Sequence, residues 1–143
     1  MSPYKIMIVD DEPDILNLLE KALTIEGFHN ILKVDNGSNA VSTCKEVNPD
    51  AIILDVMLPD IDGFTILRKI REKYTFPVIM LTAKTEYRDK ITGLTMGADD
   101  YIPKPFNPLE LTARVKSQLR RYTQLNPNSA SREKANNEIT IKG

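Results

Sequence analysis

Ile6-Met7-Ile8-Val9-Asp10-Asp11-Glu12 is the stretch that decides the fold: a short, mostly β-branched apolar run stops abruptly at three consecutive acids. Such a run fits a strand buried on both faces, and it recurs along the chain. Ala51-Ile52-Ile53-Leu54 and Val78-Ile79-Met80-Leu81 are apolar throughout, as central strands of a parallel sheet are. Ile31-Leu32-Lys33-Val34 and Asp100-Tyr101-Ile102 are more polar and fit the edges. Between these runs apolar residues recur at spacings of three and four. Ile15, Leu18, Leu19, Ala22 and Leu23 mark the first helix, and Ile66, Leu67 and Ile70 the third. Asn36-Gly37 opens the second, Asp62-Gly63 the third, and Asn107-Pro108-Leu109-Glu110 the fifth, with Asn as N-cap, Pro at N1 and Glu at N3. The sum is an α/β domain, a (βα)5 doubly wound five-stranded parallel sheet, over residues 1–122.

The 143 residues suffice for one domain with its own core. A net charge of −1 gives no overall attraction for nucleic acid, so any DNA-binding role must lie elsewhere. The lone cysteine, Cys44, excludes an internal disulfide, and a reducing cytoplasm is the natural compartment. No apolar stretch approaches a membrane span. Residues 123–137 are rich in Asn, Ser and Lys, hold Pro127 and read as a linker. In 138–143, Ile139 and Ile141 alternate with polar neighbours as a half-buried strand would, too short to fold alone.

In an open α/β sheet the functional crevice lies beyond the carboxyl ends of the strands. Those ends carry Asp10, Asp11 and Glu12 on the first strand, Asp55 on the third, Thr82 on the fourth, and Lys104 just past the fifth. Any one Asp after a strand is most often a turn or N-cap residue. Chemistry at four strand ends together is a different matter. Three carboxylates in one pocket repel one another unless a cation is present, and Mg2+ suits a site with one or two direct carboxylates, a carbonyl and several waters. Asp is also a known nucleophile that forms acyl phosphates. Lys104 and Thr82 complete an anion site. Glu12 and Asp14 lack this corroboration and receive no ligand role.

Asp10-Asp11, Asp55 with Met57-Leu58-Pro59 and Asp62-Gly63, Thr82-Ala83, and Lys104-Pro105-Phe106 together resemble the CheY-like receiver domain of two-component response regulators, over residues 4–122. The resemblance implies the flavodoxin-like strand order 2-1-3-4-5. It implies Asp55 as phosphoacceptor and a Mg2+ held by Asp10, Asp11, Asp55 and the Met57 backbone carbonyl. It further implies Lys104 as the charge-neutralising partner, Thr82 and Tyr101 as a switch pair, and a cis peptide before Pro105. The donor would be a phosphohistidine on a sensor histidine kinase, and the chain a regulatory phosphoacceptor rather than an enzyme with a separate substrate. Gly93-Leu94, Gly97-Ala98-Asp99-Asp100-Tyr101 and Glu110-Leu111 with Ala113-Arg114 are similar to the OmpR/PhoB subfamily of transcription factors. That likeness implies a homodimer on activation through Lys90, Ile91, Leu94, Asp100, Glu110, Ala113 and Arg114. It also implies that 138–143 begin a winged-helix DNA-binding domain of which the chain holds only the first strand, so that DNA is contacted only through the missing part. Lys90-Ile91-Thr92-Gly93-Leu94 and Leu119-Arg120-Arg121-Tyr122 are similar to VanR-type regulators.

Two other classes fit less well. A haloacid-dehalogenase phosphohydrolase places its nucleophile on the first strand, two residues before a second Asp, whereas Asp10 and Asp11 are adjacent. A flavodoxin-like FMN carrier needs a donor-rich phosphate loop after the first strand, where Asp10, Asp11 and Glu12 would repel it.

Overall fold

The computed structural model describes residues 2–83 and 97–125. These form five strands, β1 (Ser2–Val9), β2 (Phe28–Val34), β3 (Ala51–Asp55), β4 (Val78–Thr82) and β5 (Asp100–Pro103). The helices among the described residues are α1 (Pro13–Ile25), α2 (Ser38–Val47), α3 (Gly63–Arg71) and α4 (Pro108–Leu125). The strands lie in the order β2-β1-β3-β4-β5, all parallel. This is the expected doubly wound sheet, with the two more polar strands at its edges. The helix expected between β4 and β5, and the strand expected over 138–143, lie outside the described residues.

Alternation along each strand builds two cores. Met7, Val9, Ile52, Leu54, Val78 and Met80 face α2 and α3, where Ala40, Cys44, Ile66, Leu67 and Ile70 meet them. Ile6, Ile8, Ile53, Ile79 and Leu81 face α1 and α4, packing on Leu16, Leu19, Leu23, Leu111, Val115 and Leu119. A period of two on the sheet thus meets a period near 3.6 on each helix. β3 and β4 are buried at every position because both faces are covered. Truncating a residue such as Ile53 to Ala would cost about 2–5 kcal/mol.

Local signals set the helix starts. The Asp62 carboxylate accepts from Phe64 N at 2.8 Å to cap α3, and Asn107 Oδ1 accepts from Leu109 N at 2.9 Å to cap α4. Asn36 Oδ1 accepts from Asn39 N at 2.9 Å at the start of α2. Three features differ from expectation. The buried stripe of α1 is Leu16, Leu19 and Leu23, and Leu18 is 41% exposed, because the sheet lies slightly round the helix from the face that Leu18 marks. β1 and β2 are longer than their apolar cores, since Ser2 pairs with Phe28 across an irregularity before Lys5. α4 continues through Thr123 to Leu125, past the expected end near Tyr122, because no Gly or Pro intervenes before Pro127.

Candidate functional site

The parallel sheet brings the carboxyl ends of β1, β3, β4 and β5 to one rim, and the polar residues gather there. Asp10 follows β1 and is fully enclosed, and Asp55 ends β3 at 3% exposure. Lys104 follows β5 and sends its ammonium into the pocket, 3.0 Å from Asp10 Oδ2 and 3.3 Å from Asp55 Oδ2. Its backbone N–H donates to the Thr82 carbonyl at 2.6 Å, which fixes the chain where it leaves β5. The peptide between Lys104 and Pro105 is cis, as the resemblance implied.

The remaining oxygens are also held. Asp10 Oδ1 accepts from Glu12 N at 2.9 Å, and Asp55 Oδ1 accepts from Met57 N at 3.1 Å. One carboxylate oxygen each from Asp10, Asp11 and Asp55 lie within 4.8 Å of one another. A set of carboxylate oxygens this close, with one ammonium among them in the described residues, fits a small divalent cation with oxygen ligands. Burial foremost pushes Asp55 above its ordinary carboxylate value, and the charge of Asp10 adds to this against the Met57 N–H and Lys104. Burial pulls Lys104 down, but its hydrogen bond to Asp10 and the charges of Asp10 and Asp55 outweigh that and raise it. Two buried carboxylates therefore share one fixed cation.

The backbone is shaped to permit this. Gly63 N donates to the Val56 carbonyl at 2.8 Å, and a Cβ on Gly63 would collide with the Asp55 carbonyl and approach Val56 Cα to 2.7 Å. Only glycine fits where α3 begins against the end of β3.

Among the other expected site residues, Thr82 is fully buried at the end of β4 and Tyr101 is buried within the core beside α3. Met57 is 55% exposed at the mouth. Asp100, Glu110 and Arg114 come together within one chain: Arg114 Nη1 reaches Asp100 Oδ1 at 2.7 Å and Nη2 reaches Glu110 Oε2 at 2.9 Å. Ala113 is exposed on the same helix. Lys90, Ile91 and Leu94 lie outside the described residues. Two participants went unassigned in the sequence. Glu12 Oε2 stands 3.5 Å from Lys104 Nζ, a contact that its place after Asp10-Asp11 could have suggested. Asp60 binds across to α2, and nothing in the spacing signals that.

The sequence pattern of the response regulator receiver domain matches residues 6–116. The chain is 54% identical over 127 residues to Regulatory protein VanRc of Enterococcus gallinarum, covering 89% of this chain and 54% of that protein. It is 50% identical over 139 residues to Regulatory protein VanR of Enterococcus faecium, covering 97% of this chain and 58% of that one. The chain thus spans a little over half the length of these curated relatives. Its structure is similar to that of DrrB, a Thermotoga maritima OmpR/PhoB homolog, at a TM-score of 0.76 and 36% identity, covering 85% of this chain and 54% of DrrB. Among the described residues no helix is long and apolar enough to cross a membrane.

Proposed function

The chain belongs to the response regulator receiver domain family, and from that premise we propose that Asp55 accepts a phosphoryl group from a phosphohistidine on a sensor histidine kinase, switching a transcriptional regulator. The observation that carries this reading is the Lys104 ammonium shared between the buried carboxylates of Asp10 and Asp55, with the Asp11 carboxylate close enough to complete a cation site.

Asp10, Asp11, Asp55 and the Met57 carbonyl would hold Mg2+, whose charge, when bound, offsets that of the transferring phosphoryl oxygens. The residues of the chain do the rest. Met57 N–H holds Asp55 Oδ1 and so orients the carboxylate. A carboxylate oxygen of Asp55 attacks phosphorus, the phosphorus–nitrogen bond to the donor imidazole breaks, and the imidazole leaves as a neutral group after taking up a proton. Lys104, already facing Asp55, stabilises charge on the group in transfer. Burial lowers the local dielectric and strengthens that interaction. Met57 offers no hydrogen bond that would orient an attacking water, so loss of the phosphoryl group is slow.

Downstream, the Thr82 hydroxyl turns to the phosphoryl oxygen and Tyr101 packs inward behind it, changing the surface that carries Asp100, Glu110, Ala113 and Arg114. The inward burial of Tyr101 beside Ala98 and Met80 supports this, since the fold has room there for the ring. That surface, with Lys90, Ile91 and Leu94, forms the homodimer. Residues 138–143 open a second, DNA-binding unit, a reading supported by the alternation of Ile139 and Ile141 and by the greater length of the curated relatives. The lone, buried Cys44 supports a cytoplasmic location.

Fluorine NMR of the chain with beryllofluoride tests the acceptor. Mg2+-dependent bound fluoride resonances that vanish in Asp55→Asn are expected; bound resonances that persist in Asp55→Asn would place the acceptor elsewhere.

A further inference from the structure

The loop Met57-Leu58-Pro59-Asp60-Ile61-Asp62 runs from the end of β3 to the start of α3 and carries the Met57 amide that holds Asp55 Oδ1 at 3.1 Å. Its base is closed by Gly63 N donating to the Val56 carbonyl at 2.8 Å. Leu58 and Ile61 are half-buried against the core, and the loop's open side borders a cleft of about 500 Å3 lined by Asp11, Met57, Asp60 and Phe64 among others. Its polar anchor lies at its far side. The Asp60 carboxylate crosses to the start of α2 and accepts from Gly37 N at 3.0 Å, from Ser38 N at 2.8 Å and from Ser38 Oγ at 2.5 Å.

α2 has no side-chain cap from its own N-cap residue, Gly37, so Asp60 satisfies N–H groups that the helix itself leaves open. These donors, the Ser38 hydroxyl first among them, hold the Asp60 carboxyl well below the usual carboxylate range. Gly37 makes the approach possible from the other side. A Cβ there would lie 3.2 Å from Asp60 Oδ1, 3.1 Å from Ile61 Cβ and 2.9 Å from Ile66 Cδ1. Asp60 itself is exposed and touches neither Asp55 nor Lys104 in any hydrogen bond or ion pair described.

We infer that Asp60 is a positioning residue for the phosphoacceptor site: by clamping the β3–α3 loop to the start of α2, it keeps Met57 in register with Asp55. This rests on the reading of Asp55 as acceptor. With the clamp released, the loop keeps its base and the packing of Leu58 and Ile61 but loses its polar tie to α2, and Met57 shifts relative to the carboxylate it orients. A small misplacement of a positioning group costs rate out of proportion to its size.

The test uses the full chain and the variants Asp60→Ala, Asp60→Asn and Ser38→Ala, with Mg2+ alone, then Mg2+ and acetyl phosphate. In Asp60→Ala the Met57 amide resonance moves in the metal-free protein, and the phosphorylation rate falls on the order of tenfold, with Mg2+ binding weakened in the same direction. Asp60→Asn, whose amide oxygen still accepts, recovers most of the loss. Ser38→Ala, which keeps both backbone donors, falls between. A folded Asp60→Ala with an unmoved Met57 resonance and wild-type rate overturns the clamp, and so does an Asn variant as impaired as the Ala one, since charge rather than position would then be responsible. A wild-type chain that neither binds Mg2+ nor takes up a phosphoryl group overturns the underlying reading of Asp55 instead.

Discussion

The Lys104 ammonium lies 3.3 Å from Asp55 Oδ2 although 49 positions separate the two residues in the chain. The contact exists because β5 and β3 end at the same rim of a parallel sheet, and it places a cation where two buried carboxylates meet. Lys104→Met should therefore do two things. It should destabilise the metal-free protein by about 2 kcal/mol, less than the roughly 3–5 kcal/mol of a fully enclosed pair, because a carboxyl can take up a proton in its place. It should also slow phosphorylation by acetyl phosphate on the order of a hundredfold. Urea unfolding in chelator and a phosphorylation time course check both; a variant with wild-type stability and rate would remove Lys104 from the site.

Asp55 gives a pH dependence of definite sign. Burial foremost raises its carboxyl above the ordinary value, so folding favours the protonated form. Its contribution to stability is present below the unfolded value of roughly 4 and is lost as pH rises through the higher folded one. Asn cannot ionise and escapes that loss. In metal-free buffer Asp55→Asn should be more stable than wild type at pH 7, with the gap narrowing toward roughly pH 4. Denaturant midpoints across that range measure it, and a gap of constant size would contradict the assignment.

Asp11 is exposed while Asp10 is enclosed, so the two adjacent acids should respond differently to loss. Asp11→Ala removes one of the clustered carboxylates and the repulsion it adds. The metal-free variant should melt at or above the wild-type temperature, and the rise in Tm on adding Mg2+ should shrink or disappear, since a ligand bound only by the folded state stabilises it by mass action. An undiminished Mg2+ shift would show that Asp11 is no ligand.

Arg114 pairs with Asp100 and Glu110 within one chain, which leaves these charges available to exchange partners across a two-fold axis. The exposed Arg114–Glu110 pair contributes little to stability, and charges of this kind set orientation more than affinity. Sedimentation should show a tighter dimer with beryllofluoride and Mg2+ than without. Reversing Asp100 or Arg114 singly should weaken the dimer, and reversing both should restore part of it. A double reversal that restores nothing argues against this surface.

The sheet and most of the site were legible because each rests on short-range patterns. Continuous apolar runs marked β3 and β4, and the polar residues that followed the runs marked Asp10, Asp55, Thr82 and Lys104. Asp62 and Asn107 announced their helices as N-caps. What escaped were relationships set by tertiary packing. Leu16 and Leu18 are equally apolar, and only the angle at which α1 meets the sheet buries one and exposes the other. Asp60 reads as an ordinary turn residue, yet its partners stand 22 and 23 positions earlier. Arg71 reads as one of several basic residues at the end of α3, yet it binds the Gly97 and Phe76 carbonyls and the Asp99 carboxylate, tying α3 to the chain entering β5. No local periodicity encodes such contacts.

Intact-mass measurement after incubation with acetyl phosphate tests whether Asp55 is the phosphoacceptor. Wild type with Mg2+ should gain the mass of one phosphoryl group, whereas wild type in chelator and Asp55→Asn with Mg2+ should gain none. A full gain on Asp55→Asn would show that another residue accepts the phosphoryl group.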